Sequence, residues 1–265
     1  MQVSDGLKIE ENIKIENTNN TKNMETVPKH GPGLIGVASS TSPRYRAFDK
    51  CLIAARKPPS RDPMVAESGM GITFQDSINV AENFNRMCED LMESPIYEWL
   101  WILGDDHVFH PDLLYKLLDR DVDIITPLCL RRHPPYTPTI NGPVEEGHPV
   151  LGWEAIDGKC GLIEVHACGN AGMLIRRHVI AKIGGDWHRA GCHKSGLGGP
   201  DLWFCHRARE AGYKILIDTD NCIGHIEPQA IWPVINQDGN WHARISPVMD
   251  MPKYVETQCI TSLRG

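Results

Sequence analysis

Short apolar runs of strand length alternate along this chain with segments that have helical spacing. Residues 34–38, 99–103 and 122–126 are such runs, each next to turn-forming or polar residues. Apolar side chains recur at helical intervals over 76–92, and a second periodic segment follows Pro111. Strands that alternate with helices generate a mostly parallel sheet. The sequence therefore predicts an α/β fold whose mostly parallel central sheet is flanked by helices.

The helix predicted over 76–92 is amphipathic. Asp76 or Ser77 is placed to cap its start, and Ile78 is the first apolar position. Its polar face carries Asn83 and Arg86. The later part of the chain is predicted to contain strands at 162–166, 173–176 and 214–218, helices at 177–183 and 201–211, a Pro-, Gly- and His-rich loop at 129–152, and no clear period after residue 231.

Length and composition indicate one globular domain. The 265 residues are 41% hydrophobic, which is enough for one substantial core. Residues 1–32 are polar and lack a sustained period, so they are interpreted as a disordered N-terminal tail. Residues 33–265 are expected to form the single domain.

Charge, cysteine content and hydropathy limit the setting of the protein. The formal charge of −7 argues against attachment to nucleic acid through a broad cationic surface. The nine cysteines lack the spacing of a disulfide framework, which favours reduced thiols in a cytoplasm. No run approaches the ~20 apolar residues that span a bilayer, so no transmembrane segment is predicted.

Asp105 and Asp106 directly follow the apolar run 99–103. Ligands of open parallel sheets bind beyond the carboxyl ends of the strands, which is where this pair is expected. Adjacent carboxylates repel each other, and a divalent cation removes that penalty while bridging diphosphate oxygens. For the pair taken alone, a solvated loop with an aspartate helix cap is the simpler interpretation.

The run Gly-Asp-Asp-His-Val-Phe-His-Pro-Asp from Gly104 resembles the aspartate motif of GT-A fold glycosyltransferases, in particular family 2-like enzymes of bacteria and phages. Many members have Asp-x-Asp, with the second aspartate on the metal. Counting back from Pro111 puts Gly104 at the first position and Asp106 at the second. Either Asp105 takes over the missing carboxylate, or the frame is Asp105-Asp106-His107, similar to an Asp-x-His variant.

Two later segments resemble the same family in the expected order. Gly-Asn-Ala-Gly-Met-Leu-Ile-Arg-Arg is similar to the turn and strand under the donor sugar and acceptor, which implies sugar contacts at Gly169 and Asn170. In Gly-Pro-Asp-Leu-Trp-Phe, Asp201 aligns with the base that deprotonates the acceptor hydroxyl in inverting members, while Pro200 replaces a usual glutamate. Asp201 could instead be a helix cap, and Trp203 is either an acceptor contact or a core residue.

The resemblance also implies a metal and a donor site. His225 aligns with a histidine that completes the family's metal site, and imidazole with carboxylates favours Mn²⁺ over Mg²⁺. The sites implied for the nucleoside-diphosphate sugar follow the first strand or face the same edge of the sheet. They are Ser39, Thr41, Arg44, Arg86 and Asp105, any of which could equally be a surface residue.

The resemblance implies a hexosyltransferase that moves sugar from a nucleoside-diphosphate donor to a saccharide or surface polymer, in the cytoplasm of a bacterium or an infected host cell. One alternative is a phage-type enzyme that glycosylates hydroxymethylated bases in DNA, with basic loops at 44–61 and 131–133 on phosphate. Another is a catalytically silent sugar-nucleotide or glycan-binding module, suggested by the missing acids at Gly104 and Pro200.

Overall fold

A computed structural model describes residues 30–39, 44–56, 70–145, 148–191, 198–227 and 229–247. The predicted tail lies outside the described residues apart from 30–32. Within the described ranges the helices are α1 (Arg46–Arg56), α2 (Val80–Glu93), α3 (Leu113–Asp119), α4 (Arg177–Ile183) and α5 (Pro200–Glu210). The strands are β1 (Gly33–Ala38), β2 (Met70–Gln75), β3 (Trp99–Gly104), β4 (His107–Val108), β5 (Ile124–Leu128), β6 (Ile140–Glu145), β7 (His148–Leu151), β8 (Leu162–Val165), β9 (Ala167–Cys168), β10 (Met173–Arg176), β11 (Ile215–Cys222), β12 (Gly224–Glu227), β13 (Gln229–Ile235) and β14 (Trp241–Pro247).

The main sheet has seven strands in the order β2-β1-β3-β10-β5-β11-β8. Strand β1 is parallel to β2 and β3, and β11 is parallel to β5. Strand β10 runs antiparallel to both of its neighbours, and β8 runs antiparallel to β11. The sheet is therefore mixed, with most of its strands in one direction, and it agrees with the predicted α/β class.

Helices cover both faces of the main sheet. On one face, α2, α4 and α5 pack their buried apolar residues into a single cluster with the sheet. On the other face, α1 and α3 do the same. Strand β3 alternates between them, since Leu100 belongs to the first cluster and Trp99 and Trp101 to the second. Burial on both faces explains why the sequence of β3 is apolar throughout.

Two small sheets accompany the main one in segments where no strand was predicted. Strands β14, β13, β12 and β4 form a four-stranded sheet, although residues after 231 show no clear period. Strands β7, β6 and β9 form a three-stranded sheet within and beside the segment predicted as a loop at 129–152. The loop prediction was wrong for Ile140–Glu145 and His148–Leu151, where Pro and Gly, which are unfavourable in strands, occur in a hairpin whose third strand lies further along the chain.

Helix α2 begins later than its sequence pattern predicts. Its N-cap is Asn79, whose side-chain oxygen accepts a hydrogen bond from the Ala81 amide at 3.1 Å. Ile78 therefore lies before the helix and is 89% exposed instead of joining the core. Asn83, expected on the polar face, is buried, and its side chain exchanges two hydrogen bonds with the backbone of Ser77.

Candidate functional site

The aspartate pair lies at the carboxyl end of β3, as the sequence predicts. Gly104 is in register with Ala38 of β1, and the Asp105 amide donates to the Ala38 carbonyl at 3.1 Å. Asp105 is buried. Ser39 follows Ala38 and is also buried, and its hydroxyl has no hydrogen-bond partner among the described residues. The carboxylate of Asp105 and the unpaired hydroxyl of Ser39 therefore lie at the same edge of the main sheet, where the adjacent strands β3 and β1 end.

Asp106 faces an arginine and two histidines. Its Oδ2 lies 2.9 Å from an Nη of Arg132 and 3.3 Å from Nε2 of His225. Its Oδ1 lies 3.8 Å from Nε2 of His107. The Asp106 side chain is only 17% exposed, so these neighbours replace most of its solvent.

Backbone pairing between β4 and β12 brings the two histidines together. His107 and His225 are direct partners across this antiparallel pair, with ring centroids 5.1 Å apart. The Ile226 amide also donates to the Asp106 carbonyl at 2.8 Å. The segment after the aspartates is therefore attached to β12, and this attachment carries His225 to the carboxylate.

Both histidines present Nε2 to Asp106, but their Nδ1 atoms have different backbone partners. Nδ1 of His225 lies 3.0 Å from the Leu130 carbonyl, which only accepts, so Nδ1 is the donor. Nδ1 of His107 accepts from the Gly104 amide at 2.9 Å, so a neutral His107 carries its proton on Nε2. Only His225 can offer a lone pair at Nε2, once that atom is deprotonated. Holding a ligating imidazole by its other nitrogen is typical of metal sites.

The electrostatics of the site keep Asp106 ionised. Burial alone would raise its pKa, but the hydrogen bond with His225 and nearby positive charges, including Arg132, hold that pKa well below its ordinary value. Burial alone would lower the pKa of His225, yet Asp106 and Cys129 raise it to about 10. Burial lowers the pKa of His107 to about 4. In this state Asp106 is a carboxylate compensated by cations from the chain itself.

Gly104, where many family members have an acid, leaves little room for a side chain. A Cβ on Gly104 would lie 2.5 Å from Oδ1 of Asp106 and 3.2 Å from the His107 ring. Asp106 is held by Arg132 and His225, so it is not free to move aside. The space that a side chain at position 104 would need is therefore taken up by the Asp106 carboxylate.

The donor set fits a divalent cation at Asp106 and His225. Octahedral ligands at ~2.0–2.2 Å from a cation are about 3 Å apart when adjacent, close to the 3.3 Å between Oδ2 of Asp106 and Nε2 of His225. His107, Cys129 and His225 also place ligand atoms within 4.8 Å of one another. A thiolate would favour a softer metal such as Zn²⁺, but the proton on Nε2 of His107 excludes that atom as a ligand.

Asp201 begins α5 beside two glycines. Its Oδ1 accepts from the Leu202 amide at 3.0 Å, so the residue sits in the first turn, after the N-cap Gly199. Its Oδ2 would lie 3.5 Å from a Cβ on Gly169. Burial raises the pKa of Asp201, although backbone N–H groups and the charge of Arg131 act in the opposite direction. A raised pKa makes this carboxylate a stronger base.

Asn170 follows Gly169 and is buried beside the ring of His188. Its side-chain nitrogen lies 3.2 Å from Nε2 of His188, whose ring stacks on Phe204 with centroids 5.0 Å apart. The Asn170 side-chain oxygen and Nδ1 of His188 have no partner among the described residues. Trp203 is half-buried, donates to the Asp186 carbonyl at 2.9 Å and is not part of the core.

The basic residues expected at the donor site pair with other side chains. Arg44 bonds Asp49 at 3.1 Å and lies 4.6 Å from the centroid of the Phe74 ring. Arg86 pairs with Glu82 on the exposed surface of α2, one turn away. Thr41 lies outside the described residues. Of the five residues expected at the donor site, Ser39 and Asp105 are the two that adjacent strand ends bring together.

Sequence reasoning did not assign Cys129 to the site or pair Arg132 with Asp106. Arg132 belongs to the basic segment 131–133, which was expected to contact phosphate in the alternative with a DNA acceptor. Knowledge that β4 pairs with β12 would have indicated which residues surround Asp106. Strand β4 has only two residues, however, and gives no periodic signal in the sequence.

Comparisons of this chain with known proteins find similarity among solved structures. No family model matches the chain, and no curated protein matches it. Among solved structures it is similar to A197 from STIV, with 12% identity and a TM-score of 0.48 over 84% of this chain and 99% of that one. In the part of the chain that the structure describes, no helix has the length and apolarity that crossing a bilayer requires.

Proposed function

We propose that the protein is a metal-dependent glycosyltransferase with a GT-A-like fold, which transfers a hexose from a nucleoside-diphosphate sugar. One observation carries the proposal: Asp106 at the end of β3 faces Nε2 of His225, while Nδ1 of His225 is held by the Leu130 carbonyl. This arrangement is typical of a carboxylate and an imidazole that share a cation.

Asp106 and His225 would hold Mn²⁺, or less favourably Mg²⁺. When bound, the cation neutralises the negative charge that develops on the departing nucleoside diphosphate. Asp105 is buried at the same edge as Ser39 and would supply further negative charge to the cation site. The unpaired hydroxyl of Ser39 is available to the donor. In this proposal Asp106 is the direct ligand, and Asp105 compensates for the acid missing at Gly104.

Asp201 would act as the base in an inverting transfer. A hydroxyl is a weak nucleophile at neutral pH, and a nearby carboxylate can accept its proton as the bond to the sugar forms. Burial raises the pKa of Asp201, and the absence of a side chain on Gly169, whose Cβ would lie 3.5 Å from Oδ2, would let an acceptor approach that oxygen. Two consecutive arginines each interact with one of the two carboxylates. The charge of Arg131 acts to lower the pKa of Asp201, and Arg132 forms an ion pair with Asp106.

The acceptor class proposed is a saccharide or surface polymer, with Asn170 and Trp203 as contacts and the cytoplasm as the compartment. A DNA acceptor is disfavoured because Arg132, a candidate for phosphate contact, already pairs with Asp106 and lies near Glu227.

Hydrolysis of nucleotide sugars by the purified chain tests the proposal, because many transferases slowly pass the sugar to water. We expect Mn²⁺-dependent release of nucleoside diphosphate from one donor of a panel. Asp106→Asn and Asp201→Asn should each lower turnover at least about 100-fold. Asp123→Asn, which changes an exposed carboxylate paired with His178, is the matched control. Turnover that is unchanged in both site variants would contradict the assignment.

A silent sugar-nucleotide or glycan-binding module is the second candidate. It is favoured by the contacts of Asp106 with Arg132 and His225, because these residues can neutralise the charge of the carboxylate without a metal. Such a module would raise its melting temperature with a nucleotide sugar, with or without Mn²⁺, and release no nucleoside diphosphate from any donor. The two measurements together separate it from the enzyme.

A further inference from the structure

Arg132 occupies the side of Asp106 that a cation would need. One Nη of its guanidinium lies 2.9 Å from Oδ2 of Asp106, the same oxygen that faces His225 at 3.3 Å. A divalent cation bound by this oxygen and by Nε2 of His225 would lie next to the guanidinium. Two positive groups at that distance repel each other strongly in a partly buried site.

The surroundings of Arg132 allow it to leave. Its side chain is 44% exposed, whereas the Asp106 side chain is 17% exposed. Its Nε already lies 3.8 Å from a carboxylate oxygen of Glu227, which is 41% exposed. Glu227 is the last residue of β12, two positions after His225. A short movement of the guanidinium would therefore exchange one carboxylate for another.

We infer that Arg132 is an exchangeable internal cation, which neutralises Asp106 while the metal site is empty and moves toward Glu227 when a divalent cation binds. The inference rests on the proposed metal site and adds its regulation. Arg132 competes with the metal, so the affinity for metal is lower than the ligands alone would give. Glu227 acts through Arg132 as a positioning residue and does not touch the metal.

Binding of Mn²⁺ alone to the full chain, followed by the electron paramagnetic resonance signal of free Mn²⁺, tests this competition. We expect Arg132→Gln to tighten Mn²⁺ binding about tenfold, because a charge-assisted bond to the ligand no longer has to break. Arg131→Gln removes the same charge from the neighbouring residue and should change binding less than about threefold. Asp106→Asn should abolish the site.

Glu227→Gln should weaken Mn²⁺ binding in the wild-type background, because Arg132 loses its second partner. In the Arg132→Gln background the same change should have no further effect, since Glu227 then has nothing to position. If Glu227 were a metal ligand or acted only as a long-range charge, Glu227→Gln would weaken Mn²⁺ binding equally in both backgrounds. That result would overturn the role of Glu227 as a positioning residue for Arg132.

The outcomes separate the inference from the proposed function. If the wild type binds Mn²⁺ at Asp106 and Arg132→Gln binds no more tightly than Arg131→Gln, the exchange is refuted and the metal site stands. If wild type, Arg131→Gln and Arg132→Gln all fail to bind Mn²⁺, both the exchange and the metal-dependent function are refuted. Unfolding curves of each variant confirm that the compared chains are folded.

Discussion

At the residue scale, two histidines face the Asp106 carboxylate, and their Nδ1 atoms have opposite hydrogen-bonding roles. Nδ1 of His225 donates to a backbone carbonyl, and Nδ1 of His107 accepts from a backbone amide. Backbone groups cannot exchange these roles, so the fold distinguishes His225, the proposed ligand, from His107, the proposed supporting residue. The resemblance had already assigned His225, but the distinction from His107 requires the positions of Leu130 and Gly104.

This difference predicts unequal effects of two matched substitutions. His225→Gln should weaken Mn²⁺ binding at least about tenfold, because it removes the oriented nitrogen. His107→Gln should weaken it less and act mainly on stability, because it removes the acceptor for the Gly104 amide. Metal titration and denaturant unfolding of both variants measure the two effects. A larger loss of Mn²⁺ affinity in His107→Gln would reverse the assignment.

His188 predicts a pH dependence of stability. Burial lowers its pKa to about 3, so the folded chain keeps this ring neutral. Above its ordinary pKa, near 6.5, both states are neutral and no stability is lost. As pH falls from there toward 3, the unfolded chain takes up a proton that the folded chain does not. The free energy of unfolding therefore falls by ~1.4 kcal/mol per pH unit from this residue.

Unfolding in denaturant between pH 7 and pH 4 measures this contribution. His188→Gln should lose that part of the slope, whereas His178→Gln, which removes an exposed histidine, should keep it. The same slope in His188→Gln as in the wild type would show that the ring is not held neutral by burial.

At the scale of elements, long apolar runs were predictable and short pairings were not. Strand β3 is buried on both faces, so its residues are apolar throughout and its position can be recognised from the sequence. Strand β4 has two residues and owes its structure to β12, more than 100 residues later in the chain, so no local pattern encodes it. The order of the motifs identified Asp106, Asp201 and His225 as candidates, whereas the contact of Arg132 with Asp106 depends on these non-local pairings.

The C-terminal end of α2 offers a prediction for one element. The guanidinium of Arg177, the first residue of α4, donates to the carbonyls of Leu91, Met92, Ser94 and Tyr97. These carbonyls lack helical partners, and a cation there also complements the helix dipole. Arg177→Gln should therefore lower the free energy of unfolding by about 2–4 kcal/mol.

Arg86→Gln on the same helix is the control for this prediction. Arg86 forms an exposed ion pair with Glu82 one turn away, which is worth at most about 0.5 kcal/mol. Denaturant unfolding of both variants measures the difference. Equal losses in the two variants would show that the carbonyl contacts of Arg177 contribute nothing beyond surface charge.

At the scale of the whole molecule, the residues of the candidate metal site lie at one edge of the main sheet. Parallel strands β1 and β3 end there with Ser39 and Asp105, and the small sheet containing β4 and β12 adds His225. On the face covered by α2, α4 and α5, Asp201 opens α5 next to Gly169. The sequence predicted this edge because parallel strands end together, but not the small sheet that completes it.

The position of a bound metal tests the central claim most directly. Crystals of the full chain grown with Mn²⁺ and a nucleoside diphosphate should give an anomalous peak about 2.2 Å from both Oδ2 of Asp106 and Nε2 of His225. The guanidinium of Arg132 should then lie closer to Glu227 than to Asp106. A peak between His107, Cys129 and His225 without Asp106, or a fully bound nucleotide with no peak at Asp106, would contradict the proposed metal-dependent site.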